Sequence, residues 1–600
     1  MAPAANRGLL RISFLLLPLA CNSGEGQEPS SPAENDDNLS VMRIPDEPSE
    51  AETGLDAGSE GWDTEVLGSH AKAQVKELLH HGLKPSGEDL ASVTTADVSS
   101  GTLRPTERTL VRSGEDFEVF KADPSDGSAD GRDALASSIQ DLLSPFAAEP
   151  EYYVKVWRVT PTDGGTWTTL FYQAVGESVG GRPYQQNATW ECRLDPSGQL
   201  ISGLKTIQHE EVYGPAGVET LFTEVTDATL GHEEDLVRQL RPSLSDLSGR
   251  IDVTVGPQIA EYEGVSVGDA NGDGLEDVYL SQTRGMPNRL LLQRPDGTIH
   301  ECAAEVGLDL LDRSHASLFL DLDADGDQDL IIGGLSLLFF ENTGNKSATP
   351  EGLNIPSYTL FKSIEISDTY SISAADIDLD QDLDLYICRY RATQESFPTP
   401  YHDAQNGLEN VLLKNQGDWN FVDATEETGL NHNNNRFSFA SSWTDIDSDG
   451  DPDLYVANDF GRNNLYRNDD GHFKDAAAEL GVEDISAGMS VDWGDPDSDG
   501  DYDIYVGNMF SAAGNRIAYQ RKFQVDATDE DRDAYKRHAR GNSLFLNQGA
   551  KGFADVSVEA GVTMGRWSWC SRFVDFNNDC REDLVVSNGY ITSADSTHDL

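Results

Sequence analysis

Six times between residues 269 and 583 the chain repeats a nine-residue run with an oxygen-bearing side chain at positions 1, 3, 5 and 9. In the first three runs these are Asp269, Asn271, Asp273 and Asp277; Asp321, Asp323, Asp325 and Asp329; and Asp376, Asp378, Asp380 and Asp384. In the last three they are Asp445, Asp447, Asp449 and Asp453; Asp495, Asp497, Asp499 and Asp503; and Asp575, Asn577, Asp579 and Asp583. Carboxylates roughly 4 Å apart repel by about 1 kcal/mol per pair in water, and by more when half-buried. Six such clusters therefore demand a counter-charge. A hard cation such as Ca2+, which gathers six to eight oxygens around one point, fits positions 1, 3 and 5 of a tight loop. The spacing thus predicts about six calcium sites. Glycine at position 6 permits the sharp turn. Gln381 and Cys580 stand there in the third and sixth loops, which are expected to be strained or weaker. Solvated acidic turns without metal are the competing reading.

An EF-hand shares positions 1, 3 and 5 but also needs a glutamate at position 12 and flanking helices. Position 12 here is Leu280, Ile332, Ile387, Val456, Val506 and Val586, and none can ligate. The segments leaving the loops, such as Asp277–Leu280 and Asp453–Val456, are rich in β-branched and aromatic residues, which favours strands. Each loop therefore joins two strands of a hairpin. A second recurring piece supplies two more strands: Asn410–Asn415 with Phe421–Asp423, Asn464–Asn468 with Phe473–Asp475, and Asn542–Asn547 with Phe553–Asp555. Four strands per repeat make a propeller blade. The expected fold is mainly β: a β-propeller over residues 213–600, with six blades, or seven if an insert hides one, preceded by a small α+β domain. Phe222–Thr226 looks like a fourth-strand piece placed ahead of the first loop. It is expected to complete the last blade and so cover both sheet edges.

Over about residues 222–600 these motifs resemble the FG-GAP (VCBS) repeat proteins, whose propeller blades bind calcium as in integrin α-chains. Within that group the likeness extends to bacterial relatives of cartilage acidic protein, the UnbV group, although this sequence contains no ASPIC/UnbV segment. The resemblance implies that the Asp and Asn residues named above ligate Ca2+.

The first 21 residues read as an export signal: Arg7 and Arg11 precede an apolar run, Ile12–Leu19, that is too short to cross a membrane. Leu17-Pro18-Leu19-Ala20-Cys21 resembles a bacterial lipobox with Cys21 as the lipidated residue; plain signal cleavage is the alternative, since Pro18 is unusual there. Residues 22–68 are acidic and rich in Ser, Pro and Gly, with Arg43 as their only base, a composition that favours a flexible linker. Residues 69–212 are expected to form the small α+β domain, with helices over 70–81 (capped by Ser69) and 133–144. Strands follow over 152–159, 166–175, 185–194 and 199–207. Helices followed by an antiparallel meander resemble, in order alone, the cone-shaped folds related to nuclear transport factor 2. Trp157, Trp167 and Trp190 read as core residues.

With 105 acidic against 43 basic residues, the net charge of −62 repels nucleic acid and anionic lipid. The only membrane link expected is the lipid anchor, and the localisation expected is the cell envelope, the periplasm or the exterior. Cys192, Cys302, Cys388, Cys570 and Cys580 form no disulfide framework or zinc pattern; Cys570 with Cys580 is the one conceivable bridge. Two inserts, 396–406 and about 512–542, interrupt the repeats. The second is locally basic through Arg516, Arg521, Lys522, Lys536, Arg537 and Arg540. Together they are expected to line one rim and bind an anionic ligand, or else the second is a helical excursion held by salt bridges. No catalytic motif is present, and His402 with Asp403 and His432 with Arg436 are the only suggestive pairs. The expected function is recognition, adhesion or envelope assembly through a protein or glycan ligand, with structural calcium. The alternative is an extracytoplasmic enzyme acting on polysaccharide.

Overall fold

The computed structural model describes residues 63–588, apart from 82–84, 115–116, 123–127, 163, 216, 218–222, 241–263, 392–396, 418 and 521. The export signal, Cys21 and nearly all of the acidic linker lie outside the described residues. Two compact units are present, one comprising residues 63–223 with 511–539, the other 224–510 with 540–588. No described helix is long and apolar enough to cross a membrane.

The first unit opens with helix α1 (Asp63–His80), whose buried face is Ala71, Val75, Leu78 and Leu79. Strands β1 (Thr94–Gly101), β2 (Thr109–Ser113), β3 (Glu118–Ala122) and β4 (Ser128–Asp130) precede helix α2 (Arg132–Leu143). A meander follows: β5 (Glu151–Thr162), β6 (Gly165–Glu177), β7 (Pro183–Leu194) and β8 (Ile201–Tyr213). Alternation of buried and exposed residues along β7 places Tyr184, Gln186, Ala188, Trp190, Cys192 and Leu194 on the core face. The sheet runs β2-β3-β8-β7-β6-β5, with β1 parallel to β8 and carrying β4. Trp190 is buried and stacks on Tyr172, whereas Trp157 is half-buried and Trp167 is exposed. Only the first of these tryptophans is core.

Two findings depart from the sequence reading here. The helix expected from His70 is already formed at Asp63, the first described residue, so Ser69 lies inside it and caps nothing. This earlier part makes a remote contact: Glu65 accepts hydrogen bonds from Arg516 at 3.0 and 3.1 Å. The insert that supplies Arg516 folds as α3 (Ala512–Ala518) and α4 (Asp529–His538) within this unit. Its cations are engaged as in the salt-bridged excursion: Arg516 also donates to the carbonyl of Val156 at 2.7 Å, and Lys536 to Asp533 at 2.7 Å. Arg521 lies outside the described residues.

The second unit holds the repeats. The first sheet is β9 (Val265–Gly268), β10 (Asp277–Leu280), β11 (Arg289–Gln293) and β12 (Ile299–Glu301). The second is β13 (Ser314–Leu320), β14 (Asp329–Gly334), β15 (Leu337–Ala348) and β16 (Asn354–Ile364). The third is β17 (Thr369–Ala375), β18 (Asp384–Arg389), β19 (Val411–Asn415) and β20 (Phe421–Asp423). The fourth is β21 (Phe437–Thr444), β22 (Asp453–Phe460), β23 (Asn464–Asp469) and β24 (His472–Asp475). The fifth is β25 (Gly488–Gly494), β26 (Asp503–Asn508), β27 (Ser543–Asn547) and β28 (Phe553–Asp555). All five are antiparallel in chain order, and β29 (Ser568–Val574) pairs with β30 (Asp583–Asn588) in a sixth, two-stranded sheet.

The first strand of each sheet runs beside the first strand of the next. Apolar cores fill the space between successive sheets, for example Tyr279 and Leu292 with Leu330 and Ile332, and Tyr455 with Ile504 and Phe545. Position 494, the last of β25, has room only for glycine: a Cβ there would collide with Glu582 and lie 2.5 Å from the ring of Phe573 in the following sheet. The piece expected to complete the last sheet is not a strand where it is described. Phe222 lies outside, Glu224 and Val225 are irregular, and Thr226 opens a helical turn to Leu230.

Candidate metal centres

Every acidic run is the hairpin loop between the first and second strands of its sheet, and its position 9 opens the second strand. The backbone builds each loop the same way. Positions 4 and 6 are both left-handed, with φ of 58° at Ala324 and 96° at Gly326, and 61° at Ser448 and 100° at Gly450. This turns the N–H groups of positions 5 and 6 onto the carboxylate of position 1. Asp325 and Gly326 donate to Asp321 at 3.2 and 3.0 Å, and Asp499 and Gly500 to Asp495 at 2.9 and 3.1 Å. The strain expected at position 6 is present: Gln381 and Cys580 take φ of 77° and 65°. The left-handed position 4, held mostly by residues other than glycine, left no signal in the sequence.

The loops bring acidic oxygens together to different extents. In four of them three carboxylates present oxygens within 4.8 Å of one another. These are Asp321, Asp323 and Asp325; Asp376, Asp378 and Asp384; Asp445, Asp447 and Asp453; and Asp495, Asp497 and Asp503. Each group could hold a metal ion. Asp380, Asp449 and Asp499 fall outside these triads; like Asp325 at 2.9 Å, they accept the N–H of position 7, at 3.0–3.1 Å. In the first and sixth loops Asn271 and Asn577 hold position 3, and no acidic triad of Asp269, Asp273 and Asp277, or of Asp575, Asp579 and Asp583, draws that close among the described residues. In the third loop the ammonium of Lys414 already binds Asp378.

Position 9 carries the electrostatic cost. Asp277, Asp329, Asp384, Asp453 and Asp503 are at most 1% exposed. Burial pushes the carboxyls of Asp277, Asp329, Asp453 and Asp503 up to about 7 and that of Asp384 to about 6. Backbone hydrogen bonds pull against burial, and the loop's other carboxylates add to the rise. In four loops those bonds come from two sides. Position 2 donates to Oδ2, as Ile446 does to Asp453 at 2.9 Å, and the third strand donates to Oδ1, as Asn468 does at 2.7 Å. The fifth loop has Pro496 at position 2 and no N–H to give. Asp503 keeps the bond from Asn547 at 2.6 Å, but its Oδ2 is buried without a partner. A buried carboxylate oxygen left so is costly unless a cation meets it.

The third-strand asparagines were visible in the sequence only as repeated letters. Three of their side chains reach the loop of the preceding sheet: Asn342 donates to the Ala270 carbonyl at 3.0 Å, Asn468 to the Ile377 carbonyl at 3.0 Å and Asn547 to the Ile446 carbonyl at 3.4 Å.

The other suggested sites resolve differently. Asp403, in the first insert, accepts from Arg436 at 2.6 Å and from Arg462 at 3.2 Å. The carbonyl of His432 accepts the Tyr466 hydroxyl at 2.7 Å. Arg540 is paired with Asp555 at 2.8 Å. Cys570 and Cys580 are free and exposed, while Cys192, Cys302 and Cys388 are free and buried.

Within this series of antiparallel sheets with acidic hairpin loops, residues 269–332 and 445–506 match the FG-GAP-like repeat family. Both matches begin at the first aspartate of a loop and end in the second strand of the next sheet. The chain is similar to cartilage acidic protein 1 of Homo sapiens, at 26% identity over 241 residues, 37% of this chain and 33% of that protein. It is 25% identical to cartilage acidic protein 1 of Mus musculus over 241 residues, 37% of this chain and 34% of that protein. The chain spans about a third of the length of these curated relatives.

Proposed function

We propose that the repeat unit is a calcium-stiffened β-propeller and that the protein is an exported recognition or adhesion module of the cell envelope. The observation that carries the calcium reading is the fifth loop, where three carboxylates converge on one point and Asp503 Oδ2 is buried with nothing to bond. The donors are all hard oxygens, which suits Ca2+ over softer metals. Bound calcium would supply structural charge compensation. Asp495, Asp497 and Asp503 would hold it in the fifth loop, and Asp321, Asp323 and Asp325 in the second; Asp376, Asp378 and Asp384, and Asp445, Asp447 and Asp453, are the matching sets. The first and sixth loops would bind through Asp269, Asn271, Asp273 and Asp277, and through Asp575, Asn577, Asp579 and Asp583.

The propeller reading is supported by successive four-stranded sheets whose first strands adjoin. Export and lipidation at Cys21 rest on the apolar run that precedes it. The ligand is a protein or glycan of the envelope. At free Ca2+ a hundredfold above the dissociation constant, each site adds about 2.7 kcal/mol. Elemental analysis of the purified protein should find bound calcium, and chelator should lower the melting temperature steeply. A metal-free protein whose melting ignores chelator would refute the reading.

A further inference from the structure

In the α+β unit, β3 and β8 pair with Glu118 opposite Tyr213 and Phe120 opposite Glu211. Residues at alternate positions of paired strands share a face, so these four side chains lie together. With Arg108 and Arg182 they line a cavity of about 310 Å³, a volume suited to a small molecule.

Glu211 is buried and saturated. It accepts Nε and Nη2 of Arg104 at 2.6 and 3.1 Å, and Nη1 of Arg108 at 2.6 Å on both oxygens. The Tyr213 hydroxyl donates to it at 3.3 Å, and His209 Nε2 lies 3.1 Å away. It has no acceptor capacity left for a ligand. Two guanidinium groups on one carboxylate leave one positive charge in excess, while Arg182 is matched by Glu118. The lining charges balance, Arg108 and Arg182 against Glu118 and Glu211, so the excess positive charge comes from Arg104 on the Glu211 carboxylate, on a chain of net charge −62. Arg108 commits only Nη1 to Glu211, and the rest of its planar fork has the geometry that a carboxylate matches in pairs. One wall is aromatic: Phe120 meets Tyr213 edge-on at 5.9 Å, and Arg182 lies over the Tyr213 ring at 5.3 Å.

We propose that this cavity binds a small organic carboxylate with an aromatic or apolar body, gripped by Arg108 and walled by Phe120 and Tyr213. The opposing reading is an ion cluster that only braces the sheet. Calorimetric titration of the full chain with benzoate, and with benzamide as its neutral isostere, separates the two. Benzoate should bind saturably and benzamide about tenfold or more weakly, the difference of one charge-assisted contact. Arg108→Gln should weaken benzoate by about the same factor. Because that variant disturbs Glu211, Thr106→Trp is the second arm: Thr106 is an exposed lining residue outside the ion cluster. It should abolish binding with the melting temperature unchanged. Absence of saturable benzoate binding, equal binding of benzamide, or wild-type affinity in a folded Thr106→Trp protein would overturn the proposal.

Discussion

Because Pro496 has no N–H, Asp503 meets its buried position one hydrogen bond short, whereas Asp277, Asp329, Asp384 and Asp453 each receive a bond from position 2. Replacing Asp503 by Asn removes the charge and keeps the shape. In chelator, Asp503→Asn should melt higher than the natural protein. In calcium at a hundredfold excess it should lose the contribution of one site, about 2.7 kcal/mol, in urea unfolding. An unchanged calcium response would show that Asp503 is no ligand. Asp459 is a buried carboxyl outside the loops, and it accepts a hydrogen bond from the Tyr390 hydroxyl. Burial pushes it up to about 7, and the tyrosine offsets this only in part. The folded state therefore keeps a proton that the unfolded chain releases near pH 4. Its contribution to stability is greatest below that pH and fades as pH rises through about 7. In saturating calcium, Asp459→Asn should flatten the decline in melting temperature between about pH 4 and 7. A slope equal to that of the natural protein would exclude Asp459 as its source.

The loop is the element through which sequence and structure speak most directly to each other. Its oxygen spacing, its place in a hairpin and the strands on either side were all legible, because strand patterning has a period of two and turn chemistry is local. Which oxygens share a point was not legible. Identical spacing yields a triad from positions 1, 3 and 5 at Asp321 but from 1, 3 and 9 at Asp376, Asp445 and Asp495. That choice is made by the folded geometry of each loop, since position 9 is equally buried at Asp329, Asp384, Asp453 and Asp503. The left-handed residue at position 6 carries a measurable cost where it bears a side chain. Gln381→Gly should raise stability in chelator by about 1 kcal/mol in urea unfolding, the left-handed penalty less the entropy that glycine adds to the unfolded chain. No gain would mean that the third loop tolerates φ of 77° without strain. The meander β5–β8 was legible for the same local reason, within a few residues at each end. Helix α1 was legible from His70 onward but not over residues 63–69, where Glu65 pairs with Arg516, 451 positions away.

For the whole molecule, the proposed calcium sites in the hairpin loops would make cation binding and folding of the repeat unit one equilibrium. Hydrogen exchange read by mass spectrometry should show β9–β30 losing protection in chelator. Peptides from β5–β8 should keep theirs, since that meander carries no such loop. Equal loss in both would contradict a calcium effect confined to the repeats. Residue order alone was enough to specify a mainly β chain of acidic hairpins with an α+β segment ahead of it, since apolar alternation and carboxylate spacing are properties of neighbours. Three-dimensional packing settled the rest: the membership of the 511–539 insert in the α+β unit, the orphaned oxygen of Asp503, and the Arg104–Arg108–Glu211 cluster beneath a cavity. Each depends on desolvation or on contact between distant segments, quantities that exist only once the chain has folded.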